Sequence, residues 1–428
     1  MYAPVVVIGA GQAGLAMSRL LSGAGIDHVV LERGDVAHSW RTERWDSLRL
    51  LTPNWMTRLP SWSYDGQDPD GFMTAAEFVG FLERYQRSFD PPVLARTTVE
   101  RVSCGPGRFE IHTDRGPWAA AAVVAAAGAC SEAALPAAAA ELPAGIDQLT
   151  ALDYRNPERL GEGDVLVVGA SASGVQIADE LARSGRNVTL AVGEHVRLPR
   201  TYRGRDIHGW LDALGVLDER YDEVDDLNRA RRLPSLQLIG SPERRTLDLN
   251  ALIDVGVRPV GKVMRVVGEV VQCSGGVGHL VANADLKHNR LLDRIDAYVE
   301  ERGLDESLPA PSRPERTRLA APPTELRLDA FRTVVWATGY RPRYPWLDPI
   351  AFDAQGRLRH DGGISPIPGL YFLGLPFLRR RKSNFIDGVG PDASEVLAAL
   401  RTHLAGRGVH RSTEQCAAHP VDGLHQRS

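Results

Sequence analysis

The sequence predicts an α/β protein built from two Rossmann-like units, the second inserted into the first. Three observations predict it. A β-branched run, Val5-Val6-Val7-Ile8, enters the glycine turn Gly9-Ala10-Gly11-Gln12-Ala13-Gly14 and then a stretch of helical apolar spacing, Leu15 to Leu21. The same succession returns at Val165–Val168, Gly169-Ala170-Ser171-Ala172-Ser173-Gly174 and Val175–Arg183. Strand character then reappears late in the chain, at Thr333–Ala337 and Leu370–Leu373. A strand, a tight turn, a helix and a second strand in close succession form a βαβ unit.

The elements follow in order. Val29-Val30-Leu31 is the second strand of the first unit and ends at Glu32. Thr98-Val99 and Phe109-Glu110-Ile111 read as a small hairpin, and Val123-Val124-Ala125 leads to a turn at Ala127-Gly128-Ala129. A Pro/Gly/Ala-rich connector, Pro136 to Gly145, precedes the second unit, whose next strand is Asn187 to Val192. The stretch from Arg203 to Thr324 reads as polar and irregular. It has amphipathic helix candidates at Asp206–Leu214 and Asn289–Glu301, and a proline-rich exposed loop from Pro309 to Pro323. A helix from Val389 to Arg401 closes the fold, and a frayed polar tail is expected past Arg407. The expected division is 1–158 with 331–428 as one discontinuous domain, and 159–330 as the inserted one.

Composition narrows the function. With 428 residues, 43% of them apolar and 24% charged, the chain can bury two or more cores. A net charge of −4 gives no reason to expect nucleic acid as a partner. Cys104, Cys130, Cys273 and Cys416 are scattered, with no CxxC pair for a disulfide framework, a zinc site or a redox dithiol. That usage fits a reducing cytoplasm, which is the expected location. No apolar run reaches membrane-spanning length. The tail histidines His403, His410, His419 and His425 lack metal spacing, so no metal is expected.

The glycine turns carry the chemistry. A strand entering such a turn and then a helix aims free backbone N–H groups at one point, and the helix N-terminus adds partial positive charge, which suits a pyrophosphate. Gly9 permits the turn, Gly11 lets the backbone approach phosphate, and Gly14 allows close packing of helix on strand. Glu32 stands at the spacing where a carboxylate accepts from ribose hydroxyls. In the second turn Ser171 replaces the middle glycine. Two dinucleotides in one chain imply an electron relay from nicotinamide to flavin and onward. No carboxylate ends the second unit's strand. Arg197, Arg200 and Arg203 beyond it are candidates to neutralise a 2′-phosphate, which favours NADPH, whereas Glu194 favours NADH; both coenzymes stay open.

With these residues in view, the chain resembles the class B flavin-dependent monooxygenases, of the branch that includes YUCCA-type and bacterial CzcO-like flavoproteins. The segments that carry the resemblance are Ser39-Trp40-Arg41, Arg44-Trp45-Asp46-Ser47-Leu48-Arg49-Leu50, Thr52-Pro53, Tyr154-Arg155-Asn156-Pro157, Ala337-Thr338-Gly339-Tyr340 and Gly369 to Gly374. The resemblance implies a glutathione-reductase-like pair of domains and FAD on the first glycine turn. Gln12, Ala13, Arg33, Trp40, Arg41, Trp45, Thr52, Val99, Ala127, Gly128, Gly374, Phe385 and Asp387 would stand around that FAD. It implies NADPH on Gly169, Ser171, Ala172, Ser173 and Gly174, with Thr338, Gly339 and Tyr340 linking the domains. The family reaction is reduction of FAD by NADPH, capture of O2 as a flavin C4a-(hydro)peroxide, and oxygen transfer to a small organic substrate. Asn54, after Thr52-Pro53, is the candidate to hydrogen-bond that oxygen adduct, or else a turn residue holding local backbone. One departure stands out. The family fingerprint FxGxxxHxxx(Y/F) corresponds here to the stretch from Gly145 to Tyr154, with Thr150 at the histidine position. The alternatives are therefore a flavin dehydrogenase or oxidase without oxygen transfer, and a non-catalytic redox sensor.

Overall fold

The computed structural model describes residues 1–105 and 107–407; the tail expected to fray, with Cys416, His410, His419 and His425, lies outside them. The first sheet is centred on Tyr2–Ile8, where seven residues of β-branched and apolar character leave every position from Val5 to Ile8 buried or nearly so. Tyr2–Ile8 pairs in parallel with His28–Leu31 on one side and Trp118–Ala125 on the other. Val93–Leu94 extends the first side. The far edge of Trp118–Ala125 is shared: the hairpin of Val99–Gly105 and Arg108–Thr113 pairs antiparallel with its first half, and Leu370–Phe372 pairs in parallel with its last three residues. The alanines at 120–122 are wholly or nearly wholly buried, and parallel strands covered on both faces are uniformly apolar for this reason. Gln12–Gly23 and the last helix, Ile386–Ala405, pack against each other.

The second sheet is parallel throughout, in the order Asp147–Thr150, Phe331–Trp336, Asp164–Val168, Val188–Val192, Arg258–Gly261. Two corrections to the expected organisation follow. Asp147–Thr150 and Phe331–Trp336 belong to this sheet, so it draws on chain outside 159–330 at both ends. The stretch from 203 to 324 is not irregular: it supplies the edge strand Arg258–Gly261 and a 25-residue helix, Val277–Glu301, whose last half alone had helical signal enough to be expected. That helix buries Val281, Ala284, His288, Leu292, Ile295 and Val299, a helical stripe against the insertion's own core. The other candidate helix forms as Ile207–Ala213, capped by the Asp206 carboxylate accepting from His208 N.

The two units are stitched by their connectors. Asp46 N donates to Arg155 O at 2.9 Å, and Asn156 Nδ2 to Asp46 Oδ2 at 2.5 Å. Tyr340-Arg341 pairs antiparallel with Glu132-Ala133, and Thr338 Oγ1 donates to Ala134 O at 2.7 Å. The chain leaving each sheet is thus tied to the chain leaving the other.

Candidate dinucleotide site

The two glycine turns repeat the same backbone hydrogen bonds and dihedral angles. Gly9 N donates to Leu31 O at 2.8 Å, and Gly169 N to Ala191 O at 3.0 Å. Ala126 N donates to Ile8 O at 2.9 Å, and Ala337 N to Val168 O at 2.8 Å. Gly9 and Gly169 have φ of 104° and 111°, a region open to glycine and strained for other residues. A Cβ at Gly14 would stand 1.8 Å from the Gly9 carbonyl oxygen, and one at Gly174 the same 1.8 Å from that of Gly169. No larger residue can sit at either place without moving the turn.

Each turn leaves room where a phosphate would approach. Nothing lies within 4 Å of a Cβ placed on Gly11, Gly128 or Gly339. Gly11 and Ser171 occupy the same cap position, with φ/ψ of −81°/−170° and −86°/−172°, and neither helix start is closed by a side-chain cap. Both helices run twelve residues and carry no acidic group in the first turn, so each presents an uncapped positive end. These open, uncapped cradles fit a dinucleotide pyrophosphate.

Around the first cradle the structure brings together Gly9, Gly11, Gln12, Ala13, Gly14, Glu32, Ala127, Gly128 and Gly374. Glu32, 7% exposed, accepts from Ala10 N at 2.7 Å and Gly34 N at 3.0 Å, which fixes its carboxylate beside the turn. Gly374 lies against Ala13, where a Cβ would approach that methyl to 3.1 Å. Gln12 accepts from Trp40 Nε1 at 3.2 Å and reaches Asn384 O at 3.5 Å, joining the turn to the segment before the last helix. Phe385 caps that helix and Asp387 sits in its first turn, held by Arg58 at 2.7 Å and Lys382 at 3.1 Å. The sequence alone does not point to Asn384 and Arg58, whose partners Gln12 and Asp387 lie 372 and 329 residues away, nor to Lys382, five residues before Asp387 in a charge run that reads as an exposed face.

Other expected positions differ. Trp45 is buried in the second unit's core with Tyr154, Leu160 and Val175, so apolar packing takes its ring away from an open cradle. Arg33 and Arg41 are engaged outward, with Glu43 and Glu83. Val99 is a buried strand residue of the first core, and Thr52 is half-buried on the loop before Asn54. Asn54 has the loop-holding role: its Oδ1 accepts from Met73 N at 2.9 Å and its Nδ2 donates to Asp68 O at 2.9 Å.

The second cradle collects Gly169, Ser171, Ala172, Ser173 and Gly174, with Tyr340 OH 3.3 Å from Ser173 Oγ. Burial pushes the Tyr340 hydroxyl up, opposed by its Ser173 partner. Cys130 lies near enough to Tyr340 and Arg44 for charge coupling, and burial pushes its thiol up as well. Cys130 is a free cysteine with no CxxC partner for a redox dithiol. Arg197 and Arg200 are not available to this cradle. Arg197 donates to Asp248 at 2.9 Å, Asp285 at 2.7 Å and Glu315 O at 2.7 Å. Arg200, 0% exposed, pairs with Asp206, donates to Leu51 O at 2.8 Å and lies 4.4 Å over the Phe72 ring. Arg203 is likewise spent on Asp305 at 2.6 Å and Pro309 O at 3.0 Å. Among the described residues no cluster of metal-ligating side chains occurs, and no helix is long and apolar enough to cross a membrane.

The comparisons with known proteins agree with this geometry. Residues 6–212 match the family model of pyridine nucleotide-disulphide oxidoreductases. An oxidoreductase of Geobacillus kaustophilus described as CzcO-like is 31% identical over 406 residues, covering 93% of this chain and 98% of its own. The rice indole-3-pyruvate monooxygenase YUCCA8 is 26% identical over 441 residues, covering 96% and 93%. The flavin-containing monooxygenase of Stenotrophomonas maltophilia shares the fold at a TM-score of 0.66 and 23% identity, over 95% of this chain and 99% of its own. A duplicated cradle and a relative aligned almost end to end lead to one conclusion: the chain belongs to the CzcO-like oxidoreductases of the class B flavin monooxygenase-like family.

Proposed function

We propose that this protein is an FAD- and nicotinamide-dependent monooxygenase that oxygenates a small organic molecule with O2, NADPH being the coenzyme expected of its family. The observation that carries the reading is the pair of cradles with equivalent hydrogen bonds, tied to each other through the chain segments that leave the two sheets. FAD, when bound, supplies hydride acceptance and the reaction of reduced flavin with O2. The chain's own residues bind and position. Gly11 and Ser171 open the two helix starts to pyrophosphate, and Glu32 offers its carboxylate to a ribose. Tyr340 and Ser173 hold the second cradle to the exit of its sheet. Met56, Leu51, Trp55, Ile207, Trp210 and Phe385 form an apolar cluster between the Thr52–Asn54 loop, the insertion and the start of the last helix. Such a wall keeps water from a reactive centre. The YUCCA relatives, named as indole-3-pyruvate monooxygenases, support oxygen transfer.

One observation favours oxidase chemistry as a second reading. Thr150 stands where the fingerprint has histidine, and its hydroxyl is consumed by Asp153 at 2.6 Å. The test is to supply FAD-loaded protein with NADPH and isotopically labelled O2 in the presence of amines, sulfides and indole-like acids. Label in an organic product is the expected result. Recovery of all reducing equivalents as hydrogen peroxide, with every substrate, contradicts oxygen transfer and establishes the oxidase.

A further inference from the structure

The internal repeat allows the second nucleotide site to be read against the first, position by position. The hydrogen bonds Gly9 N to Leu31 O and Gly169 N to Ala191 O put Leu31 and Ala191 at the same place. One residue further, Glu32 of the first unit therefore corresponds to Val192, which is fully buried. Arg33 corresponds to Gly193, around which a Cβ would meet nothing within 4 Å. The strand end that faces an adenosine ribose thus carries neither the acid of the first unit nor a cation. The next residue, Glu194, is exposed.

The cations that follow in sequence are removed by pairing. Arg197, Arg200 and Arg203 are each no more than 6% exposed and face Asp248, Asp285, Asp206, Asp296 and Asp305. Drawing Arg197 or Arg200 out to a phosphate would strand buried or nearly buried carboxylates, which costs more than the new contact returns, and Arg203 is held by Asp305 and Pro309 O. A cation that acts on this loop from outside is Lys287 of the long helix, whose charge is felt by His195 together with those of Asp285 and Arg197. Its sign is opposed by Glu194, one residue before that histidine.

From this we infer that the nicotinamide cradle does not select for a 2′-phosphate, so that NADH serves it as well as NADPH or better. The inference rests on the two-dinucleotide reading above. A charge-assisted contact to the 2′-phosphate is worth roughly ten- to a hundredfold in affinity, and here none is built in. The ligand class is a nicotinamide dinucleotide recognised through its pyrophosphate and an unmodified ribose.

The test is calorimetric titration of the FAD-loaded protein with NAD+ and with NADP+, repeated with 5′-AMP and adenosine 2′,5′-bisphosphate, which isolate the ribose end. Dissociation constants within about tenfold of each other, or lower for NAD+, are expected. A Gly193→Arg variant, in which ordinary backbone and open space receive the side chain, is expected to gain about tenfold or more for NADP+ and for the bisphosphate, with FAD content unchanged. NADP+ binding more than about tenfold tighter than NAD+ in the parent protein would overturn the inference and leave the two-dinucleotide reading standing. Binding of neither nucleotide by protein that holds FAD would overturn that reading, and the inference with it.

Discussion

The first and second units share a turn geometry and differ in what surrounds it. Around the first cradle, charged groups at the strand end are either aimed at the turn, as Glu32 is, or left in solvent, as Arg33 is with its half-buried partner Glu43. Around the second, the corresponding positions are Val192 and Gly193, and the nearby arginines are buried with aspartates from the insertion. The same cation type thus has opposite uses. At the first unit's strand end Arg33 lies at the surface; beyond the second unit's, Arg197, Arg200 and Arg203 are held by aspartates of the insertion. Glycine spacing defines a cradle, and the residues beyond the second strand define what that cradle recognises.

The largest expected effect tests that division of labour. Arg197→Ala leaves Asp248 and Asp285 buried without their cation and is expected to cost about 3–5 kcal/mol of stability in chemical unfolding, with little change in coenzyme preference. A large change in NADP+ affinity with intact stability would break the comparison. Next come Gly14→Ala and Gly174→Ala, whose methyls meet the carbonyls of Gly9 and Gly169 at the same 1.8 Å. Each is expected to lose about 1–3 kcal/mol. Gly14→Ala should purify without flavin, whereas Gly174→Ala should keep FAD and lose nicotinamide binding. Asn54→Ala removes two hydrogen bonds from the turn at 68–73 and should lower stability by roughly 1–3 kcal/mol, read as a shift in melting temperature with FAD content retained.

A smaller effect compares histidines beside the second strand of each unit. His28 opens the strand in the first unit and His195 follows it in the second, and burial lowers both from the ordinary 6.5. The unfolded chain therefore binds protons that the folded one refuses, so stability is full above pH 6.5 and declines as pH falls below it. His28→Asn and His195→Asn should each flatten that decline in unfolding curves between neutral and mildly acid pH. The smallest effect is Arg33→Ala, whose exposed pair with Glu43 is worth at most about 1 kcal/mol.

Much of this was legible in the sequence because it is local. Both glycine turns, the flanking strands and Glu32 lie within short spans whose periodicity and turn chemistry speak for themselves. The fate of Arg197 was not legible: its partners Asp248 and Asp285 stand 51 and 88 residues away, and only the packing of the long helix brings them in. Arg258–Gly261 was hidden for a related reason. Four residues containing a proline carry little strand signal alone, and this strand forms because Val188–Val192 offers it an edge. Asp147–Thr150 and Phe331–Trp336 looked like the borders of the insertion, yet both complete its sheet, since a parallel sheet recruits strands by register and not by chain order. Trp45 read as a flavin-lining aromatic and is instead part of the second core, which no local pattern distinguishes.

Two equivalent cradles in one chain suit the passage of electrons from a nicotinamide to a flavin. The most direct measurement is anaerobic addition of NADH or NADPH to the yellow FAD-loaded protein and to its Gly174→Ala variant, following the oxidised-flavin absorbance. Rapid bleaching of the parent protein is expected, and none, or very slow bleaching, of a variant that still holds its FAD. Equal bleaching of both, or a parent protein that neither coenzyme reduces, would contradict that relay.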